Sequence, residues 1–453
     1  MTRVPTRPIF QLYVLLIVIL LPICFGGVHP GSYLPALLGG WIVIGLLTLT
    51  SMPDYQRSWA LRWCLGVLGA VLFLLPLELL RALMMGDGTL GRVSAFLISW
   101  QWWLLSAALL LFLVDMLRED RRFRQLLRQV LVGSGAFVAM IGISHWFYDS
   151  GKLLWIFAPE EVFVSPRARW PFVNSNHLAH YLTMSLALGF GLFAVALQKL
   201  KRAEPGAPRD RHLVRAMMAM GILLMISVAI LGTLSRGAWL SIGFGAPVFY
   251  LLTRGASGQS SSRGGWRSML RWLPLALFIV AIGTLLSAGR GSDLIEDRVV
   301  YGLSASRDDL RWELYRDTST LLAQYPLFGV GLGRWEVEHG RVASEALTDL
   351  EPEYLHSDPY QVLIEAGLLG TVPFLVLALI LLRRIWQTSR LLRSTGDFER
   401  TLSFGASCTA LLVLVCASLV DFPFRIPAIH LTFLVILALV LVAVREENST
   451  NSK

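Results

Sequence analysis

The chain has 453 residues, of which 55% are hydrophobic and 16% charged, with a formal net charge of +9. Soluble domains carry about 25% charged residues, so the composition argues against a water-soluble enzyme. The basic excess is spread over short loops between apolar runs, as cytoplasmic membrane loops require, and leaves no concentrated face for nucleic acid.

Apolar runs long enough to cross a bilayer as helices recur from end to end. They lie near 9–27, 33–50, 59–80, 94–115, 129–147, 177–198, 214–232, 238–253, 270–288, 362–382, 403–420 and 427–444. The expected fold class is therefore all-α and integral to the membrane, with about twelve transmembrane helices in a single polytopic domain over residues 1–453. The first run lacks a convincing small-residue cleavage site and reads as a membrane helix, not a removed signal. The four cysteines, Cys24, Cys64, Cys408 and Cys416, sit in or beside these runs without metal-type spacing and read as packing residues.

Orientation follows from Lys and Arg. Alternate loops carry Arg118, Arg121, Arg122, Arg124 and Arg128, then Lys199, Lys201, Arg202, Arg209 and Arg211, then Arg254, Arg263 and Arg267, then Arg383, Arg384, Arg390, Arg393 and Arg400. That face is expected to be cytoplasmic, with both termini on it. The segment 256–267, rich in Ser and Gly, reads as a flexible connector there. On the opposite face the largest loop, 289–361, holds seven basic and fourteen acidic residues. It is long enough to contain short helices, and loops of that length are often functional.

Five clusters fall on this second face. Arg169-Trp170-Pro171-Phe172-Val173-Asn174-Ser175-Asn176-His177 opens a span. Asn174 or Ser175 reads as an N-cap, and the amides of Asn174 and Asn176 with His177 also suit sugar hydroxyls. Arg236, in Ser-Arg-Gly-Ala, sits in a short turn between spans. It reads either as an arginine snorkelling to headgroups or as a planar donor to a lipid-linked phosphate. Arg311-Trp312-Glu313-Leu314-Tyr315 reads as the start of a helix that ends at Pro326 in a glycine-rich turn, Gly329-Val330-Gly331-Leu332-Gly333-Arg334, without phosphate-loop spacing. Arg311 can equally pair with a nearby acid such as Asp308. His356-Ser357-Asp358-Pro359-Tyr360-Gln361 precedes a span, and a histidine is the usual base near neutral pH. Glu365 follows at a depth where an ionisable group is costly, as a helix cap, an arginine partner or a functional group. Finally, Asp421-Phe422-Pro423-Phe424-Arg425 makes a short turn in which Asp421 and Arg425 read as a local salt bridge.

These residues resemble the O-antigen ligases and the related O-antigen and exopolysaccharide polymerases. Ser-Arg-Gly-Ala at Arg236 looks like that family's outer-turn arginine. Arg311, with Tyr315 and the Pro-Leu-x-Gly-x-Gly stretch from Pro326, looks like its arginine element. His356, Gln361, Glu365 and Gly367 resemble its His-Asn-x-x-x-Gln … Glu-x-Gly element, with Ser357 where Asn is common and Pro359 inside the element. Asn174 to Ala179 resembles its Asn-x-Asn-His-x-Ala stretch. The resemblance covers roughly 130–440.

It implies a GT-C-like polytopic glycosyltransferase of the bacterial inner membrane, acting on the periplasmic face without metal or other cofactor and with inversion. The implied donor is a glycan on undecaprenyl pyrophosphate. The implied acceptor is lipid A–core in a ligase or another lipid-linked glycan in a polymerase, with membrane lipids around both. Arg236, Arg311 and His356 are the expected catalytic groups. Asn174, Asn176, His177, Arg334, Tyr360, Glu365, Asp421 and Arg425 are the expected substrate contacts. A transporter or flippase would need charges along mid-span, whereas these gather at one rim; a non-enzymatic assembly protein is a third class.

Overall fold

The computed structural model describes residues 6–50, 58–85, 90–148, 152, 154–156, 167–254, 310–344, 347 and 352–444. Among them there are thirteen α-helices and no strand: α1 (Thr6–Ile23), α2 (Pro30–Thr50), α3 (Trp59–Met85), α4 (Leu90–Glu119), α5 (Arg121–Phe147), α6 (Ser175–Arg202), α7 (Ala207–Gly232), α8 (Arg236–Thr253), α9 (Leu310–Gln324), α10 (Trp335–His339), α11 (Asp358–Ser394), α12 (Phe398–Ser418) and α13 (Pro427–Ala443). Short 3-10 turns occur at Phe25–Gly27 and Pro423–Arg425.

Nine of these helices are long and apolar enough to cross a membrane, and α13 is a shorter apolar helix. With α8, eleven of the twelve expected spans coincide with helices. The expected span 270–288, the connector 256–267 and the first part of the long loop lie outside the described residues. The long loop does contain short helices, α9 and α10. The chain is a multi-pass membrane protein.

Local sequence explains the helix starts. Asp120 caps α5 by accepting from Phe123 N at 2.8 Å, and Asp397 caps α12 by accepting from Arg400 N at 3.1 Å. Prolines lie inside α1, α2, α3, α8 and α11; in α1 the Val18 carbonyl freed by Pro22 accepts instead from Ser134 of α5 at 3.1 Å.

Helices α6 and α12 form the centre, with 72% and 78% of their apolar windows buried. They approach closely because small residues face each other. A Cβ added at Gly191 would lie 2.4 Å from Ala406 Cβ; α12 meets α8 as closely, since one at Gly405 would lie 2.4 Å from Thr253 Cγ2. Such contacts drive helix association where lipid supplies no hydrophobic force.

Helix α11 has 37 residues, about 55 Å at 1.5 Å per residue, and exceeds the roughly 30 Å apolar thickness of a bilayer. Its first ten residues are set off by a break at Gly367 (φ 65°, ψ −175°). The N-termini of α6, α8, α11 and α13 meet at this end of the bundle, with the C-termini of α7 and α12.

Gly191→Val should destabilise the bundle by about 1–3 kcal/mol through overpacking. Thermal unfolding in detergent checks this against Gly133→Val, since nothing lies within 4 Å of a Cβ at Gly133. Equal melting temperatures for the two variants would contradict the close α6–α12 contact.

Candidate active site

The break in α11 organises the site. Four backbone groups that a continuous helix would pair internally are exchanged with the turn that follows α9. Leu368 N donates to Pro326 O at 3.0 Å and Leu369 N to Leu327 O at 3.1 Å. In return, Val330 N donates to Ile364 O at 2.9 Å and Gly331 N to Glu365 O at 3.0 Å. The backbone account therefore closes where water is scarce. The geometry demands glycine on both sides. Gly329 has φ 69°, and its Cβ would lie 2.5 Å from Glu365 O; a Cβ at Gly367 would lie 2.3 Å from Leu327 O. The glycines of this turn join it to the helix.

The first turns of α11 carry His356 at their entrance. His356 is partly exposed and adopts a left-handed φ of 57°, a conformation uncommon outside glycine and enriched at functional sites. Its carbonyl accepts the Tyr315 hydroxyl of α9 at 2.9 Å, which holds this backbone in place. Tyr315 lies one helical turn after Arg311, so both occupy the side of α9 that meets His356.

Asp421, 3% exposed, lies at the centre of a histidine cluster. Its Oδ2 is 3.1 Å from His180 Nε2 and its Oδ1 is 3.6 Å from His356 Nδ1. Oδ1 also accepts from Phe422 N at 2.9 Å. Burial alone would raise the Asp421 carboxyl, but the imidazoles of His180 and His356, with His177 nearby, hold it well below the usual carboxylate range. The Phe422 ring is wedged among the same groups, 4.9 Å from the rings of both His177 and His356 and 4.8 Å from Tyr354.

The expected Asp421–Arg425 salt bridge is not the pairing found. Arg425 turns instead to α11, with Nη2 3.3 Å from Glu365 Oε2 and Nε 3.8 Å from Asp358 Oδ1. Its guanidinium also stands over Tyr354, 5.7 Å from the ring centre. The prolines at 423 and 427 force a turn that sends the two side chains in different directions. Burial opposes the Arg425 cation, but Glu365, Asp358 and Tyr354 outweigh it and raise its pKa. Glu365, 1% exposed, also accepts from Gln361 Nε2 at 3.0 Å, and Gln361 Oε1 accepts from Leu355 N at 3.1 Å. Asp358 closes the network: its N–H donates to Asp421 O at 3.2 Å while its Oδ2 accepts from Phe424 N at 2.9 Å.

Arg236 is exposed at the first position of α8. Ser235 caps the helix by accepting from Ala238 N at 3.4 Å, and Leu234 before it has a left-handed φ of 50°. A Cβ at the next residue, Gly237, would lie 3.7 Å from His180 Cε1 and from Val420, so the turn abuts the histidine cluster. Asn176 supports that turn indirectly. Arg167 donates to Asn176 Oδ1 at 2.7 Å and to Thr233 O at 2.6 Å. Asn174 is the N-cap of α6, accepting from Asn176 N at 2.8 Å. His177 is buried, and its Nε2 has no hydrogen-bond partner. Tyr360 meets Tyr315 edge to face at 5.9 Å. Arg334 is buried and donates to Glu338. It sits beside Arg81 of α3: a Cβ at Gly331 would lie 3.1 Å from Arg334 Cδ and 3.4 Å from Arg81 Cζ.

The structure thus gathers His356, Asp421, Glu365, Arg425, His177 and Tyr360 in one network, with the helix ends bearing Arg236 and Arg311 against it. Two further buried polar groups escape the sequence reading. His180 lies one helical turn after His177, and a second polar residue on an apolar helix is its only sequence signal. Arg81 pairs with Glu78, Nε to Oε2 at 3.0 Å, in a helix that reads as plain hydropathy. Among the described residues no group of three or more His, Cys, Asp or Glu side chains is arranged to hold a metal ion.

Arg425→Met should leave Glu365 and Asp358 buried without their cation, a change that typically costs about 3–5 kcal/mol. Arg425→Met with Glu365→Gln should recover part of that loss in detergent melts. A double variant no more stable than the single one would show that Glu365 does not depend on Arg425. Gly367→Ala should cost on the order of 1–3 kcal/mol in backbone strain alone, read in the same melts. An unchanged melting temperature would contradict the exchange of backbone bonds.

Residues 220–375 match a family model described as O-antigen ligase. No curated protein matches the chain's sequence. The matched segment runs from α7 into α11 and includes Arg236, Arg311, the glycine turn, His356, Glu365 and Gly367. The chain is a polytopic membrane protein whose residues 220–375 are similar to the O-antigen ligase family, a likeness that supports a ligase- or polymerase-type membrane glycosyltransferase.

Proposed function

We propose that the protein transfers a glycan from undecaprenyl pyrophosphate to the acceptor hydroxyl of lipid A–core, as an O-antigen ligase in lipopolysaccharide biosynthesis. The reaction takes place on the periplasmic face of the bacterial inner membrane, with both termini cytoplasmic. What supports this reading is the juxtaposition of a half-buried histidine with two arginine-bearing helix starts inside the segment that matches the family, beside a buried carboxylate, Asp421, from outside it.

The acceptor oxygen attacks the anomeric carbon, the bond from that carbon to the phosphate oxygen breaks, and configuration inverts. Lipid pyrophosphate leaves with the bonding electron pair. Its developing charge is the main thing to stabilise, and preorganised cations do so best. Arg236 and Arg311 take that role as planar donors. Asp421, as a carboxylate, only accepts hydrogen bonds. A hydrogen on the His356 Nδ1 that faces Asp421 Oδ1 at 3.6 Å is the tautomer this acceptor favours, and Nε2 is then the nitrogen that takes the acceptor's proton. Asp421 and Arg425 are engaged by protein groups, so their part is to support the imidazole and α11, not to hold sugar.

Purified His356→Ala should lose about 10²–10⁴-fold in turnover, and Arg236→Ala and Arg311→Ala about 10²–10³-fold each, without loss of melting temperature. Chelator should leave the unmutated protein active. Full turnover in all three variants, or loss with chelator alone, sinks the scheme. Deletion of the gene followed by glycan analysis distinguishes the acceptors. Lipid A lacking long chains beside intact lipid-linked polymer indicates a ligase, whereas accumulated single lipid-linked repeats indicate a polymerase.

A further inference from the structure

We propose that His180 is a positioning residue for the transfer, acting on His356 through Asp421. The hydrogen that His180 Nε2 donates to Asp421 Oδ2 fixes the carboxylate so that Oδ1 faces His356 Nδ1 and Nε2 of His356 stays bare. The inference rests on the base role proposed for His356 and adds a group that never touches substrate.

The geometry leaves His180 little else to do. It is 1% exposed, its Nε2 is 3.1 Å from Oδ2, and its Nδ1 has no hydrogen-bond partner. Its ring therefore spends its hydrogen bonding on one carboxylate oxygen. The other oxygen, Oδ1, accepts from Phe422 N and lies 3.6 Å from His356 Nδ1, an approach longer than a hydrogen bond. A buried carboxylate oxygen without a donor is costly, and the groups around it among the described residues are turned to other partners. From α6, His177 is turned edge-on to Phe422. From the turn, Arg425 is engaged by Glu365 and Asp358. From α11, the Asp358 side chain accepts from Phe424 N and only its backbone N–H reaches Asp421, at the carbonyl. From α8, Arg236 is exposed, one residue from the Gly237 contact with His180.

Removing the His180 donor leaves Asp421 two ways to relieve the exposed lone pairs: rotation or protonation. A protonated Asp421 becomes a donor. It then gives its hydrogen to His356 Nδ1, and the imidazole hydrogen moves to Nε2, since the bond at one ring nitrogen decides what the other carries. An Nε2 that already holds a hydrogen cannot accept the acceptor's proton. His180 thus keeps Asp421 a pure acceptor, and through it keeps the base in its working tautomer.

The test measures transfer from undecaprenyl-pyrophosphate-linked oligosaccharide to lipid A–core by full-length protein in detergent, over a range of pH. It compares the unmutated chain with His180→Gln, His180→Asn, His180→Leu and His356→Ala. The Gln amide reaches where Nε2 stands and keeps the donor; Asn stops short, and Leu removes it. His180→Gln should retain the turnover and the acidic limb of the pH profile. His180→Leu and His180→Asn should lose about 10–100-fold near neutral pH, the usual cost of removing a partner that orients a histidine. Their acidic limb should move to higher pH, because Asp421 then protonates more readily, and activity should partly return as pH rises. The 15N imidazole signals of His356 should show the hydrogen shifting from Nδ1 to Nε2 in the same variants. A loss in Leu and Asn by one factor at every pH, or a Gln variant as poor as Asn, overturns the positioning role in favour of packing. An inactive His356→Ala beside an unmoved His180→Asn profile also overturns it and leaves the base intact. A fully active His356→Ala overturns the base assignment itself.

Discussion

The exchange of backbone bonds between the glycine turn and the break in α11 is the constraint on which the site depends. A helix that ran straight through Gly367 would carry Asp358, Gln361 and Glu365 along the membrane-facing line of α11. The break sets these first turns at their own angle, and the turn after α9 locks that angle with four hydrogen bonds. Each such bond, left unmade and buried, costs about 1–3 kcal/mol. The two glycine positions are also mutually exclusive of side chains, since a Cβ on either meets the backbone of the other. The glycine turn and the Glu-x-Gly element are thus one structure written in two places. Because α9 ends in that turn, its other end, with Arg311, is located relative to His356 by the same lock.

Around this frame the buried charges divide into two sets. Asp421 belongs to the histidines, and Arg425 belongs to Asp358 and Glu365. Buried ions are tolerated only when their remaining hydrogen-bonding capacity is used, and here nearly every oxygen is engaged. The sets communicate through the backbone: Asp358 donates to the Asp421 carbonyl and accepts from Phe424 N. A shift of the arginine set would therefore move the turn that carries the histidine set. The His356 backbone is held by Tyr315, and its imidazole lies against Phe422 and Asp421, with its outer edge left partly open.

Hydropathy made the helices legible, and turn chemistry made the cap at Asn174 and the helix end at Pro326 legible, because both are local. The pairing of charges was not. Asp421 and Arg425 are four residues apart, and proximity suggests a bridge, yet their partners stand 241 and 60 residues away in sequence. Sequence distance fails there because Pro423 turns the chain between them. His180 was illegible for a related reason: a lone histidine on an apolar helix gains meaning only when a carboxylate from another helix pair arrives at it. The glycine turn was legible as irregular, but its purpose lay in a helix break some forty residues on.

The segment that matches the family holds Arg236, Arg311 and His356, but neither Asp421 nor His180 nor Arg425. In the proposed reaction, then, the groups that meet the lipid pyrophosphate and the acceptor proton come from one stretch of chain. The groups that hold them in their working state come from α6 and from the α12–α13 turn. Those helices are also the most deeply packed, with α6 and α12 joined through Gly191 and Ala406. A hydrogen bond to a reactive histidine is only as steady as the element that carries the donor or acceptor. Placing Asp421 and His180 at the ends of the two most buried helices puts the steadiest part of the bundle behind the residue that must not change tautomer.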